Sequence, residues 1–219
     1  MIKAVVFDLD DTLYPEEEYV KSGFHAIADA FNDEDLYARL YSLFKEKKNN
    51  VYQRAGFSEE QCKRCIEIYR SHFPDISLDD ETETLLKKLK KSGYKLGIIT
   101  DGRPEGQRNK IKALGLEEMM DCIIVTDEMG GIEYRKPDPK AFQFMQEALG
   151  VEFNEMMYVG DNPEKDFYIG SVYPIITVRV THSGLYTVRE YLNGIKEKVM
   201  CNELGEIYEY INSSNTYNS

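Results

Sequence analysis

Short apolar runs, rich in β-branched residues, recur along the chain, and segments with helical spacing separate them. The runs are Lys3–Leu9, Lys95–Thr100, Cys122–Val125, Met156–Val159 and Pro174–Val178. This alternation is the mark of βαβ units and a parallel sheet. Strands covered by helices on both faces read as near-continuous apolar stretches, as these do. The intervening pieces carry helix signals. Leu85, Leu86 and Leu89 mark a helix at about 81–92. Pro104 opens a second, with Ile111, Ala113 and Leu114 on its apolar side and Gly115 at its end. Asp138 and Pro139 open a third, which carries Phe142, Met145 and Leu149 and closes at Gly150. A shorter helix is expected after Pro163.

One region breaks the alternation. Between Pro15 and Phe73 no run reads as a strand, and Ile27, Phe31, Leu36, Leu40, Leu43 and Phe44, then Ile66, Tyr69 and Phe73, recur at helical spacing. The expected architecture is α/β. A Rossmann-like parallel sheet core is formed by residues 1–14 and 75–219, and residues 15–74 form an inserted all-helical cap. The polar tail from Asn212 to Ser219 is expected to fray.

Composition narrows the function classes. Among 219 residues, 27 Lys and Arg stand against 39 Asp and Glu, a formal charge of −12. That balance argues against nucleic acid, which is bound through basic patches, and against an anionic membrane surface. No stretch approaches the roughly 18 apolar residues of a membrane span, and the first residues do not resemble a signal peptide. A cytoplasmic protein, monomeric or homodimeric, is expected. Four cysteines, Cys62, Cys65, Cys122 and Cys201, suit reduced thiols there. Cys62 and Cys65 have C-x-x-C spacing, but they sit in a helical pattern without the βα context of a redox site, and are read as structural.

In an open parallel sheet, ligands bind beyond the carboxyl ends of the strands. The first strand ends in Asp8-Leu9-Asp10-Asp11-Thr12. A carboxylate there is costly unless a cation or a hydrogen bond compensates it, and the pair Asp8 and Asp10 suits a divalent metal or a shared proton. The second strand ends in Thr100-Asp101-Gly102-Arg103-Pro104: a hydroxyl, a glycine and a helix start, which together suit an anion. The third leads to Lys136-Pro137-Asp138-Pro139. The fourth ends in Gly160-Asp161-Asn162-Pro163-Glu164-Lys165-Asp166, a second carboxylate cluster. Any one of these reads equally as a turn or a helix cap. Their order over four strand ends is far more specific.

With these residues the chain resembles the haloacid dehalogenase-like hydrolase superfamily from Lys3 to about Val180. Asp8 to Thr12, Thr100, Lys136, and Gly160-Asp161 with Asp166 match its four motifs. The helical insert is similar to the C1-type cap of its phosphoglycolate phosphatase-like branch. The resemblance implies that Asp8 is a nucleophile forming an aspartyl-phosphate, and that Asp10 is general acid and then base. It implies that Thr100, the backbone of Asp101 and Gly102, and Lys136 hold the phosphoryl group. Mg²⁺ would be bound by Asp8, the main-chain carbonyl of Asp10 and Asp161, with Asp166 and Asn162 behind them. The expected activity is Mg²⁺-dependent hydrolysis of a small phosphorylated metabolite, such as a sugar phosphate, phosphoglycolate or a nucleoside monophosphate. A haloacid-type hydrolase, a phosphomutase and a non-catalytic phosphate-binding module stay open as alternatives. Tyr14, Glu16, Glu17, Tyr52 and Arg54 from the insert, with Arg103 from the core, are candidates for reading the substrate. His25, His72 and His182 match no nucleophile–base arrangement.

Overall fold

The computed structural model describes residues 1–181 and 189–216, with side chains described up to Ser213. In chain order the elements are β1 (Ala4–Phe7), α1 (Glu16–Phe31), α2 (Leu36–Lys45), α3 (Val51–Arg54), α4 (Glu59–Ser71) and α5 (Asp80–Lys91). They continue as β2 (Lys95–Thr100), α6 (Pro104–Ala113), β3 (Cys122–Val125), α7 (Lys140–Leu149) and β4 (Met156–Gly160). The chain ends with α8 (Ile169–Val172), β5 (Ile176–Val180), β6 (Val199–Cys201) and α9 (Glu206–Thr216). The strands form one six-stranded parallel sheet in the order β3-β2-β1-β4-β5-β6. This is the Rossmann-like α/β architecture expected from the alternating pattern.

Alternation along β1 divides the core between the two faces of the sheet. Val5 and Phe7 pack with Leu86 and Leu89 of α5, Ile111 of α6 and Ile207 and Ile211 of α9. Ala4 and Val6 face the other way, onto Phe142 and Met145 of α7. The four helices between β1 and α5 enclose a third apolar cluster, built on Phe24, Ile27, Leu36, Leu40 and Cys65. Cys62 and Cys65 are buried free thiols on α4, which accords with a packing role. Phe73, read as part of that helical core, lies beyond the end of α4 and is 59% exposed.

The C-terminal third departs from expectation. The segment after Pro163 turns first and becomes helical only at Ile169. The last expected strand runs from Ile176 to Val180, two residues later than Pro174–Val178. Strand β6 has three residues at the sheet edge, too short to stand out by pattern. Residues Asn212 to Thr216 belong to α9, and residues 217–219 of the expected tail lie outside the described residues. Ile207 and Ile211, four residues apart and both fully buried, anchor that helix to the sheet. His182 and Ser219 lie outside the described residues.

Candidate active site

Strands β1, β2 and β4 are central in the sheet, so their carboxyl ends point their polar residues into one place. The Asp8 amide donates to the Val159 carbonyl at 2.8 Å, which extends the β1–β4 ladder by one residue and fixes the Asp8 backbone. Asp8, Asp10, Asp101, Lys136, Asp161 and Asn162 all line one cavity of about 480 Å³. Gly102 lines an adjoining cleft that shares Asp10, Glu16 and Asp101 with it. Thr100 lies beneath both, buried, where its hydroxyl accepts a hydrogen bond from Gln107 Nε2 at 2.6 Å.

Lys136 organises the floor. Its ammonium lies 2.7 Å from Asp8 Oδ1, 2.8 Å from Asp166 Oδ1 and 2.7 Å from the Tyr158 hydroxyl. A buried ammonium is tolerated only with such compensation. Burial pushes its pKa down, but the charges of Asp166, Asp8 and Asp101 outweigh burial and hold it well above the ordinary lysine value. Asp166 is fully used: Oδ1 takes Lys136 and Tyr158, and Oδ2 accepts the Asn162 amide at 2.9 Å. The Asp166 carboxylate packs so closely on Gly160 that a side chain at position 160 would collide with it. Asp166 therefore orients the lysine and the loop from behind.

Asp161 differs. Its Oδ2 is buried and accepts no hydrogen bond among the described residues. Asp8, Asp161 and Asp166 bring carboxylate oxygens within 4.8 Å of one another. Burial first, then the charges of Asp166, Asp8 and Asp11, push the Asp161 pKa up to about 9. Counting Asp101 and Lys165 with this group, four carboxylates face two ammoniums. Once Asp161 is ionised, this group carries more carboxylates than ammoniums, an excess that a divalent cation bound through oxygen can offset. The Asp10 carboxylate is outside this group.

Asp10 instead accepts hydrogen bonds from the Tyr14 hydroxyl at 2.5 Å, Gln107 Nε2 at 2.9 Å and Lys110 Nζ at 2.7 Å. Burial alone would raise its pKa; the Lys110 charge and these three bonds outweigh burial and hold the pKa below the usual aspartate value. Asp101 accepts bonds from the Thr126 hydroxyl and the Lys136 amide, both at 3.0 Å, which ties the end of β2 to the lysine loop. Arg135 makes a bidentate pair with Asp127, 2.7 Å on each arm, and so braces the residue before Lys136.

Several residues of the site escaped sequence reasoning. Lys165 sits 3.8 Å from Asp8 Oδ2 and 3.3 Å from Asp101 Oδ2. It lay inside the recognised carboxylate motif, where a cation between two acids was a readable signal. Gln107 and Lys110 are three residues apart on α6, hence on one helix face, but nothing local shows that this face meets Asp10. By pattern alone Tyr158 is one more residue of an apolar strand.

The candidates for reading substrate scatter. Glu16 lines the cavity that contains Asp8, and Arg103 lines the adjoining cleft. Tyr14 is buried against Asp10, whereas Glu17 pairs with Tyr41 and Lys45, and Arg54 with Glu46. Tyr52 lines a separate cavity within the insert. His25 stacks on Tyr37, and His72 bonds the Tyr69 carbonyl.

Comparison with known proteins supports the same grouping. The haloacid dehalogenase-like hydrolase family matches residues 5–178. A glyceraldehyde 3-phosphate phosphatase of Methanopyrus kandleri is 30% identical over 199 residues, 82% of this chain and 84% of its own length. The pyrophosphatase PpaX of Bacillus velezensis is 29% identical over 175 residues, 74% of this chain and 75% of its own. Among solved structures, the putative HAD-hydrolase YfnB of Bacillus subtilis, bound to magnesium, superposes with a TM-score of 0.72 at 17% identity and covers 96% of this chain and 99% of its own. Four strand ends converging on Asp8, in a chain matched by the family over most of its length, give one conclusion: this protein belongs to the haloacid dehalogenase-like hydrolase family.

Proposed function

We propose that the protein is a phosphatase that hydrolyses phosphate monoesters of small metabolites through an aspartyl-phosphate on Asp8. The observation that carries this reading is the hold on Asp8, which lines the cavity: Lys136 fixes Oδ1, while Lys165 lies 3.8 Å from Oδ2. A carboxylate so oriented can attack phosphorus in line with the leaving oxygen.

Mg²⁺ would be held by Asp8, Asp161 and the main-chain carbonyl of Asp10, with Asp166 and Asn162 behind, and would neutralise charge on the phosphate. The orphaned Asp161 Oδ2 supports that assignment. Thr100, which takes its one observed hydrogen bond as an acceptor, can donate its proton to a phosphoryl oxygen. The backbone N–H groups of Asp101 and Gly102 join it there, and Lys136 offsets the charge of Asp8 and of the phosphoryl group in transfer.

Asp10, ionised in the resting site, would take up the proton of a phosphate monoester monoanion and deliver it to the leaving alkoxide, then accept a proton from the water that cleaves the aspartyl-phosphate. Such proton transfer typically contributes about 10²–10⁴-fold. A second carboxylate at this position has no task in cleaving a carbon–halogen bond, which favours phosphate esters over haloacids. The helical insert, residues 15–74, caps the site and excludes water.

The test is phosphate release with Mg²⁺ from a panel that includes glyceraldehyde 3-phosphate, sugar phosphates and pyrophosphate, alongside halide release from 2-haloacids. Phosphate release without halide release is expected. Halide release alone, or neither product, overturns the reading.

A further inference from the structure

Helices α1, α2, α3 and α4 do not close completely on one another. On one side their apolar cluster is tightly filled, with Ile27, Leu36, Leu40 and Cys65 all fully buried. On the other, a cavity of about 700 Å³ opens, with Phe24, Phe44, Tyr52 and Tyr69 among its apolar walls and charged residues, Lys45 and Glu17 among them, also on its lining. That volume is in the range of small-molecule sites, which are mostly apolar with a few placed polar groups. The polar groups are present too. The Tyr52 and Tyr69 side-chain hydroxyls have no hydrogen-bond partner among the described residues, although both rings are packed into the insert.

The cavity shares walls with the catalytic site. Glu16 borders both this cavity and the one that contains Asp8 and Lys136. Tyr69 borders this cavity and the cleft that contains Asp10, Gly102 and Lys110. Burial raises the Tyr69 pKa well above the ordinary tyrosine value, and the charges of Glu16 and Asp10 raise it further, so Tyr69 stands within electrostatic reach of the catalytic acid. A phosphate ester with its phosphorus at Asp8 would project its alcohol portion past Asp10 and Glu16 towards this opening.

We propose that the cavity within the insert receives the alcohol portion of the substrate, and that this portion carries an aromatic ring. Aromatic walls favour an aromatic guest, since ring pairs gain from edge-to-face contact beyond their buried area. The Tyr52 and Tyr69 hydroxyls offer donors to a polar substituent on that guest. The inference rests on the phosphatase reading and narrows its substrate class to phosphate monoesters of aryl-alkyl alcohols.

The experiment compares 2-phenylethyl phosphate with ethyl phosphate, whose leaving alcohols need protonation to a similar degree, so the ratio of kcat/KM isolates the ring. The expected ratio is on the order of tenfold to a hundredfold in favour of the ring, as burial of a side chain of that size implies. Val51→Trp, which fills the cavity from α3, is expected to bring the ratio towards one. Phe144→Trp, on the exposed face of α7, serves as the matched tryptophan control and keeps the ratio. Calorimetric binding of 2-phenylethyl phosphate is measured on the same proteins, with Ile66→Phe as a second filling variant should Val51→Trp misfold. Equal turnover of both esters by the unmodified protein overturns this inference and leaves the phosphatase reading standing. A preference that survives both filling variants also overturns it. Binding that is lost on filling, in a protein that turns over neither ester, overturns the cavity as a substrate site, and the phosphate panel decides the phosphatase reading separately.

Discussion

The Lys110 ammonium lies 2.7 Å from Asp10 Oδ1, an ion pair that joins α6 to the loop after β1 across 100 residues of sequence. Lys110 is nearly buried and also sits 4.2 Å over the Tyr19 ring of α1, so it touches the site and the insert together. Its removal leaves Asp10 desolvated with one cation fewer. Lys110→Met is expected to raise the Asp10 pKa and to move the pH optimum of turnover upward. It is also expected to lower stability by roughly 3 kcal/mol, the scale for breaking a buried pair. A pH profile of kcat together with urea denaturation checks both. An unmoved profile would show that Lys110 holds the fold and not the proton.

Asp8→Asn tests the nucleophile. The amide keeps the shape but cannot form the aspartyl-phosphate, so phosphate release is expected to fall at least about 10³-fold. The variant also removes one of the charges that raise the Asp161 pKa. The fold is therefore expected to persist, with a Tm no lower than that of the parent. Turnover within tenfold of the parent would remove Asp8 from the mechanism.

Lys165 and Tyr158 separate charge from positioning. Lys165→Met deletes a cation beside Asp8 Oδ2, where phosphoryl charge would develop. Its kcat/KM is expected to drop about 10²-fold, with stability little changed. Tyr158→Phe deletes the buried hydroxyl shared by Lys136 and Asp166, at a cost of roughly 1–2 kcal/mol of stability. Its activity is expected to fall about tenfold and to stay saturable at the parent KM. Steady-state kinetics and thermal melts on the two variants distinguish the effects, and identical behaviour would refute the division of roles.

The acidic cluster makes stability depend on pH and on metal in a defined sense. Burial and neighbouring carboxylates raise Asp161 from an ordinary value of 3.8 to about 9, so between those values the metal-free folded state binds a proton that the unfolded chain has lost. That contribution is complete below about pH 4 and disappears as pH rises towards 9. Mg²⁺ needs the ionised carboxylate, so its stabilisation grows over the same range. Thermal melts with EDTA and with Mg²⁺ at pH 6 and pH 8 are expected to show the larger Mg²⁺ increment at pH 8. A larger increment at pH 6 would contradict the assignment of Asp161 to the cation.

Much of this protein is legible in its sequence because parallel strands carry their own periodicity and end where chemistry can occur. Asp8 and Asp161 stand out because a charge at the tip of an apolar run needs a partner, whereas Lys136 and Asp166 stand out through the resemblance to the family's motifs. Strand β6 and helix α9 did not stand out. Three edge residues carry little pattern, and Ile207 and Ile211 become a core face only when the sheet lies beneath them.

By itself the sequence determined the sheet, the helical insert and the identity of the charged residues at the strand ends, since these follow from local spacing and from the cost of burying charge. Which partners those charges take follows from the packing of distant elements. Lys110 and Gln107 reach Asp10, Lys165 reaches Asp8, Tyr158 bridges Lys136 and Asp166, and a cavity opens inside the insert. Contacts between distant segments depend on how helices seat against the sheet, and that seating is set by packing of whole faces, which no short stretch of sequence encodes.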